Sequence, residues 1–195
     1  MIRCADEQSA RNRHFQTGLQ MTDLIPAWVD GVLTPVEKLE VHHLGLRHPA
    51  VSVFVMDGDC TLLQRRALGK YHTPGLWANT CCTHPRWGEN PRDCANRRLS
   101  EELGISGVNL LPAGSIEYRA DVGGGLTEHE IVDVFLAHAP AQMTLVPNPA
   151  EVMQTMWIDR VDLVAEVAKD PGRFTPWLRI YLDAGIVAVA NADAY

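Results

Sequence analysis

The sequence predicts an α/β (α+β) fold, a mixed β-sheet sandwich flanked by helices. Three observations carry that expectation. The run Ala-Val-Ser-Val-Phe-Val-Met at 50–56 is β-branched and apolar, and after a turn at Asp57-Gly58-Asp59 the chain returns as a second strand over Cys60–Arg66. A helix with clear start and stop signals opens at Asn90-Pro91 and closes at Gly104. Further strand-like runs then give way to two helical stretches.

The first strand and its return read as a hairpin. Residues 71–75 hold Pro74-Gly75 and form a loop, and 76–80 are short, apolar and extended. Asn90 suits the N-cap, Pro91 the first helical position, and Asp93 the positive first turn. Leu99 and Leu103 supply that helix with an apolar stripe, and Gly104 ends it. Strands are expected at 115–119 and 128–137, on either side of Gly123-Gly124-Gly125, and another at 154–158. Helices are expected over Arg160–Lys169 and 176–190. Trp28, Trp87 and Trp157 read as core tryptophans.

Composition narrows the function. A chain of 195 residues with 46% hydrophobic and 21% charged residues is long enough for one domain with a real core. Its formal charge of -7 provides no basic surface, which argues against nucleic acid as a partner. No apolar run approaches the ~18 residues of a membrane span. Residues 1–20 are polar, without periodicity, and read as a disordered leader, with 21–195 as a single domain and Met21 as the natural start. The five cysteines include the adjacent pair Cys81-Cys82, so a disulfide framework is not expected and a reducing, cytoplasmic setting is.

The chemistry concentrates in two segments, Asn79-Thr80-Cys81-Cys82-Thr83-His84-Pro85 and Glu128-His129-Glu130. A thiol and a carboxylate on opposite sides of a small pocket can add a proton to one face of a substrate and remove one from the other. In a strand, Glu128 and Glu130 point to one face and His129 to the other. Two carboxylates on one face repel unless a cation or a shared proton lies between them. His42, His48 and His84 are candidates to complete such a site, and mixed nitrogen and oxygen donors suit zinc or a transition metal better than calcium.

The stretch from Gly88 to Ile105 resembles the Nudix box, with Glu89, Arg97, Leu99, Glu101, Glu102, Gly104 and Ile105 in register. Carboxylates of that kind suit magnesium bound to a diphosphate. Two positions depart from the hydrolase pattern. Thr83 stands in place of the leading glycine, and Arg98 in place of the glutamate after Arg97. Read without the box, Arg97 with Glu101 and Arg98 with Glu102 are i,i+4 ion pairs on a solvated helix face.

Further blocks widen the likeness: Glu37-Lys38; Arg65-Arg66-Ala67-Leu68-Gly69-Lys70; Pro74-Gly75-Leu76-Trp77-Ala78-Asn79; Tyr118-Arg119-Ala120; and Phe174-Thr175-Pro176-Trp177. Together they resemble the type 1 isopentenyl-diphosphate delta-isomerases, Nudix-fold enzymes that interconvert isopentenyl and dimethylallyl diphosphate in isoprenoid biosynthesis. The resemblance implies Cys82 and Glu130 as the two proton-transfer groups, with Tyr118 assisting the carboxylate. It implies a first divalent site at His42, His48, His84, Glu128 and Glu130, for manganese, zinc or magnesium. It implies a magnesium at Glu102 and the main chain of Cys82. Lys38, Arg66, Lys70 and Arg98 would clamp the phosphates, and Trp177 would stand beside the developing positive charge. His43 is the alternative to His42, because the segment from His42 to His48 is one residue shorter than in many relatives. A small-molecule prenyl diphosphate is the expected partner of a monomer or homodimer, and a Nudix hydrolase of a nucleoside or prenyl diphosphate is the alternative reading. Deleting residues 1–20 is expected to leave turnover unchanged in an isomerase assay; a dead truncation would overturn the assignment of those residues as a leader.

Overall fold

The computed structural model describes residues 24–186, so the expected leader lies outside the described residues. β1 (Leu24–Val29) and β2 (Val32–Glu37) form a separate antiparallel hairpin. Its two-residue turn, Asp30-Gly31, has positive φ at both positions, the conformation a tight hairpin requires. α1 (Lys38–Leu44) follows directly, its first turn capped by the Glu37 carboxylate, which accepts from the Glu40 N–H. Neither this hairpin nor α1 was expected from the sequence.

The main sheet is mixed. β3 (Arg47–Asp57) lies at its centre, parallel to β8 (Leu126–His138), which pairs antiparallel with β7 (Leu111–Gly123). β4 (Cys60–Arg66) pairs with β5 (Trp77–Ala78) and with β9 (Val152–Asp159), and β6 (Cys81–Thr83) pairs with β3. The expected hairpin of β3 and β4 exists only at its tip, where Met56 faces Thr61 and Asp57 faces Cys60. Beyond that point residues 77–83 wedge between the two strands. The Thr80 hydroxyl bridges the split, donating to the Leu62 carbonyl at 2.6 Å and accepting from the Val55 N–H at 2.9 Å.

Alternation along β3 divides the interior into two cores. Ala50, Phe54 and Met56 pack towards α3 (Arg160–Lys169) and α4 (Pro176–Asp183), meeting Leu163, Trp177, Leu178 and Tyr181. Val51, Val53 and Val55 pack towards α2 (Pro91–Leu103), meeting Cys94, Ala95, Leu99 and Leu103. The sheet is thus covered by helices on both faces, as expected.

α2 and α3 have the bounds that their end signals predict. Asn90 accepts from the Arg92 N–H, and Gly104 takes the left-handed conformation where a Cβ would come within 2.8 Å of Val146. The last helix is shorter than expected. α4 stops at Asp183 because Gly185, at φ 71°, turns the chain left-handed and the Ile186 N–H folds back onto the Tyr181 carbonyl. Residues 187–190 of the expected helix lie outside the described residues. Trp87 and Trp157 are exposed and Trp28 is only half-buried, under the Arg47 guanidinium, so these three are not core residues.

Asn79 fastens the wedge. It is wholly buried, and its side-chain N–H groups are shared among the Ser52 hydroxyl and the Val53 and Cys81 carbonyls, at 2.9, 3.0 and 2.9 Å. Asn79→Ala would leave buried carbonyls unsatisfied, so we expect it to destabilise the fold by about 1–3 kcal/mol in urea unfolding. An unchanged unfolding midpoint would show that these bonds do not hold residues 79–83 in place.

Candidate active site and metal centre

Strand register brings the chemistry together. His48 on β3 faces Glu130 on β8, which in turn faces Tyr118 on β7, so these three form one row across neighbouring strands. One strand further, Ser52 of β3 faces Cys82 of β6. Alternation also settles the cysteine pair. Cys81 is wholly buried in the core under α2, whereas Cys82 looks to the opposite face, 3.7 Å from the Tyr181 hydroxyl.

One narrow cleft is lined by Lys38, Arg66, Lys70, Cys82, His84, Arg98, Glu128, Glu130 and Trp177, and by Tyr71, His72 and Thr83. His42 and His48 lie behind it, fully buried, while His43 is exposed. One ligand atom each from His42, His48, His84 and Glu130 lie within 4.8 Å of one another. The Nδ1–H groups of His42 and His48 donate to the Lys38 and Leu46 carbonyls at 2.6 and 2.7 Å. Because a carbonyl only accepts, both tautomers are fixed and each Nε2 keeps its lone pair. Those two Nε2 atoms and His84 Nδ1 are buried without hydrogen-bond partners. Orphaned imidazole nitrogens beside carboxylates are what a divalent cation would satisfy, so the residues fit a metal.

Proton counting points the same way. The single Tyr118 hydroxyl lies 2.7 Å from Glu130 Oε2 and 2.8 Å from Glu128 Oε2. It has one hydrogen for two carboxyl groups, so the second contact needs a protonated carboxyl. Burial and the charge of Glu130 push Glu128 well above the usual carboxylate range. Burial would raise Glu130 too, but the His48 and His84 rings outweigh it and hold Glu130 well below that range. His84 Nε2 lies 2.8 Å from Glu130 Oε1, and His48 Nε2 lies 3.6 Å from the same oxygen. Cys82 is raised, by burial and then by the Glu130 and Glu128 charges, so it remains a thiol.

The other end of the cleft is cationic. Lys38 is pushed down to about 8 by desolvation and by Lys70, Arg98 and Arg66, which marks a cluster short of an anion. Lys70 is 2.5 Å from Glu151, and Arg98 contacts Glu102, Glu101 and Glu151 at 2.5, 2.9 and 3.4 Å. Both expected ion pairs of α2, Arg97 with Glu101 and Arg98 with Glu102, are present. Glu102 is buried, held by Arg98 and by the Gln64 amide at 2.8 Å, and stands apart from the histidine cluster. Arg66 covers the Trp177 ring at 5.2 Å. His129 points away, 3.3 Å from Glu117.

Sequence reasoning missed Gln64, Tyr71, His72 and Tyr181. His72 and Tyr71 sit between a matched block and Pro74-Gly75, in a loop with no periodicity to mark them.

The NUDIX domain model matches residues 46–178. Solved structures share the architecture at low identity: the MutT protein of Methanosarcina mazei (TM-score 0.57, 16% identity, 75% of this chain and 96% of that one) and the Nudix hydrolase RenU of M. smegmatis (TM-score 0.57, 18%, 88% and 97%). Fold and site therefore define a NUDIX-family protein. Isopentenyl-diphosphate delta-isomerases of Cereibacter sphaeroides and Dinoroseobacter shibae are each 65% identical over 162 residues, and that of Rhodobacter capsulatus is 60% identical, with 83% of this chain and 92% of each relative covered. The chain belongs to the isopentenyl-diphosphate delta-isomerase family. Among the described residues no helix is long and apolar enough to cross a membrane.

The buried imidazoles set a pH dependence. Burial, opposed by its bond to the Lys38 carbonyl, takes His42 down to about 4 from 6.5. Between those values the unfolded chain binds the proton and the folded chain does not, so stability falls as pH drops. Chelator-stripped protein is expected to lose several degrees of melting temperature between pH 6.5 and 4, at about 2–4 °C per kcal/mol. Added Mn²⁺ should raise the melting temperature at pH 7 and not at pH 4. A flat profile with no Mn²⁺ effect would count against a buried neutral metal site.

Proposed function

We propose that this chain interconverts isopentenyl diphosphate and dimethylallyl diphosphate, moving one C=C bond along a five-carbon chain. The observation that carries the reading is a pair of groups in one cleft with opposite protonation, the Cys82 thiol and the ionised Glu130 carboxylate. In that state Cys82 donates its proton to the alkene and leaves a tertiary cation-like centre. Glu130 then takes a proton from the adjacent carbon, and the double bond forms one position along. The reverse reaction begins with the proton on Glu130 and the thiolate on Cys82. Tyr118, bonded to Glu130 and Glu128, holds the carboxylate in place and offers a path for returning its proton.

Trp177, wholly buried in the cleft wall, presents its ring to the developing charge, worth about 2 kcal/mol when desolvated. Lys38, Arg66, Lys70 and Arg98 bind the diphosphate. Arg98 is already anchored on Glu102, so its forked guanidinium can reach phosphate oxygens without long-range movement. His42, His48, His84, Glu128 and Glu130 would hold a divalent cation such as Mn²⁺ or Zn²⁺, which keeps Glu130 oriented and tunes its proton affinity. Glu102, with the main chain of Cys82, would hold Mg²⁺ against the diphosphate. The free cysteines Cys60, Cys81, Cys82 and Cys94 support a reducing, cytoplasmic setting.

Incubating the protein with isopentenyl diphosphate and Mg²⁺ in deuterated water should yield deuterated dimethylallyl diphosphate by NMR, without free phosphate. Phosphate release in place of the isomer would transfer the chain to the hydrolases. Cys82→Ala should lower kcat by at least ~10²-fold, since it removes one proton-transfer partner. Cys81→Ala, on the other face of the same strand, should stay within a few-fold of wild type, and the reverse pattern would sink the assignment.

A further inference from the structure

Tyr181 has no part in the chemistry described above, yet its hydroxyl lies 3.7 Å from Cys82 Sγ, the atom to which the isomerase reading gives the transferred proton. It stands one turn after Trp177 on α4, so both side chains leave the same face of that helix. Trp177 and Cys82 line the cleft, whereas Tyr181 is wholly buried behind them. Its ring meets two others edge to face, Phe54 at 5.9 Å and 72° and Tyr118 at 6.1 Å and 82° between centroids. Those contacts fix the ring, and with it the place of the hydroxyl.

The direction of the bond follows from its surroundings. Ser52 faces Cys82 across β3 and β6, and alternation puts its side chain with Ala50 and Phe54, on the α4 side of the sheet. There Ser52 Oγ lies 2.9 Å from the Asn79 side-chain nitrogen, which also meets the Val53 and Cys81 carbonyls. Carbonyls only accept, so that nitrogen is the donor end of the amide, and Ser52 Oγ accepts from it. The hydrogen of Ser52 is left for another partner. Burial, and then the Cys82 and Glu130 charges, push Tyr181 well above the usual tyrosine range; the Ser52 hydroxyl acts against that rise, as a donor to the phenol oxygen does. Tyr181 then has one hydrogen to give, and Cys82 Sγ is in reach of it. Tyr118 does not compete, since its own hydroxyl is held by Glu128 and Glu130.

A thiol without a partner turns its hydrogen among three staggered settings. A bond donated to the sulfur from behind disfavours the setting that faces Tyr181 and leaves those that face the cleft. We propose that Tyr181 is a positioning residue for Cys82: its hydroxyl donates to Sγ from the buried side and leaves the thiol hydrogen aimed at the substrate. This rests on the isomerase reading and deepens it. The proton transferred is the thiol's own, and Tyr181 keeps its hydrogen throughout.

Tyr181→Phe in the full-length protein keeps the ring against Phe54 and Tyr118 and removes the hydroxyl. Turnover of isopentenyl diphosphate with Mg²⁺ gives kcat and KM, and thermal melting reports folding. The S–H stretching band of Cys82, taken as the infrared difference from Cys82→Ala, reports the setting of the thiol. In Tyr181→Phe, kcat should fall about 3–10-fold with KM unchanged, the loss of one hydrogen bond that orders the transition state. The S–H band should shift or broaden as the thiol gains rotational freedom. A folded variant with unchanged kcat, with KM raised in place of a kcat loss, or with the wild-type band would overturn the inference. Ser52→Ala removes the partner of the Tyr181 oxygen and decides the matter should Tyr181→Phe not fold. It should lower kcat at least ~2-fold at constant KM and disturb the same band, and wild-type values would overturn the inference. Absence of isomerisation by the wild type would overturn the isomerase reading as well.

Discussion

Two carboxylates two residues apart, buried on one face of β8, set the problem that the rest of the site solves. Glu128 and Glu130 are 3% and 1% exposed and share one tyrosine hydroxyl. Two like charges ~5 Å apart repel by about 3 kcal/mol at an effective dielectric near 20, before their lost hydration is counted. A proton can relieve the repulsion, or a cation can. The structure supplies for both: a phenol between the carboxyls, and the buried His42, His48 and His84 rings gathered at Glu130. The same arrangement separates the two acids in proton affinity, which is the condition for one to act as an acceptor at neutral pH.

That environment depends on a departure from simple sheet topology. A continuous hairpin of β3 and β4 would leave no place for Cys82. Splitting the hairpin after its tip lets residues 77–83 enter between the strands, with Thr80 and Asn79 meeting the backbone groups that the split exposes. β6 then runs beside β3 for three residues only, long enough for alternation to send Cys81 into one core and Cys82 towards the other. The β-irregularity between Arg65 and Arg66 does similar work at the next strand, where Arg66 ends up over Trp177.

What could be read from the sequence follows the range of the forces involved. α2 was legible because its caps, its proline and its closing glycine are all local. The β1–β2 hairpin carried an equally local signal in Asp30-Gly31, but its strands contain Pro26 and Pro35 and little alternation, so the turn stood alone. The stop of α4 was written in Gly185 and was overlooked in favour of the apolar run beyond it. The site was different. Its residues span 38 to 177, and only the family resemblance linked them, since no local pattern relates His48 to Glu130. His72 is the clearest case of what such a reading leaves out: its neighbours His42, Glu128 and Trp177 come from α1, β8 and α4, and nothing within ten residues of it announces them.

The distribution of charge explains why a chain with formal charge -7 can bind an anionic substrate. Its acidic residues organise the cations that, in the proposed function, receive the diphosphate. Glu151 holds Lys70 and reaches Arg98, and Glu101 and Glu102 hold Arg98 from its own helix. Neither Lys38 nor Arg66 has such a partner among the described residues, and the proton affinity of Lys38 is lowered to about 8. An arriving diphosphate would restore that affinity, so binding favours the charged lysine just where the cluster is least neutralised. In the proposed function, the carboxylate position given over to Arg98 in the Nudix-like helix serves retention of the diphosphate. The carboxylates at the opposite end of the cleft are held beside imidazoles instead of guanidiniums, and the proposed function assigns them the proton chemistry at carbon.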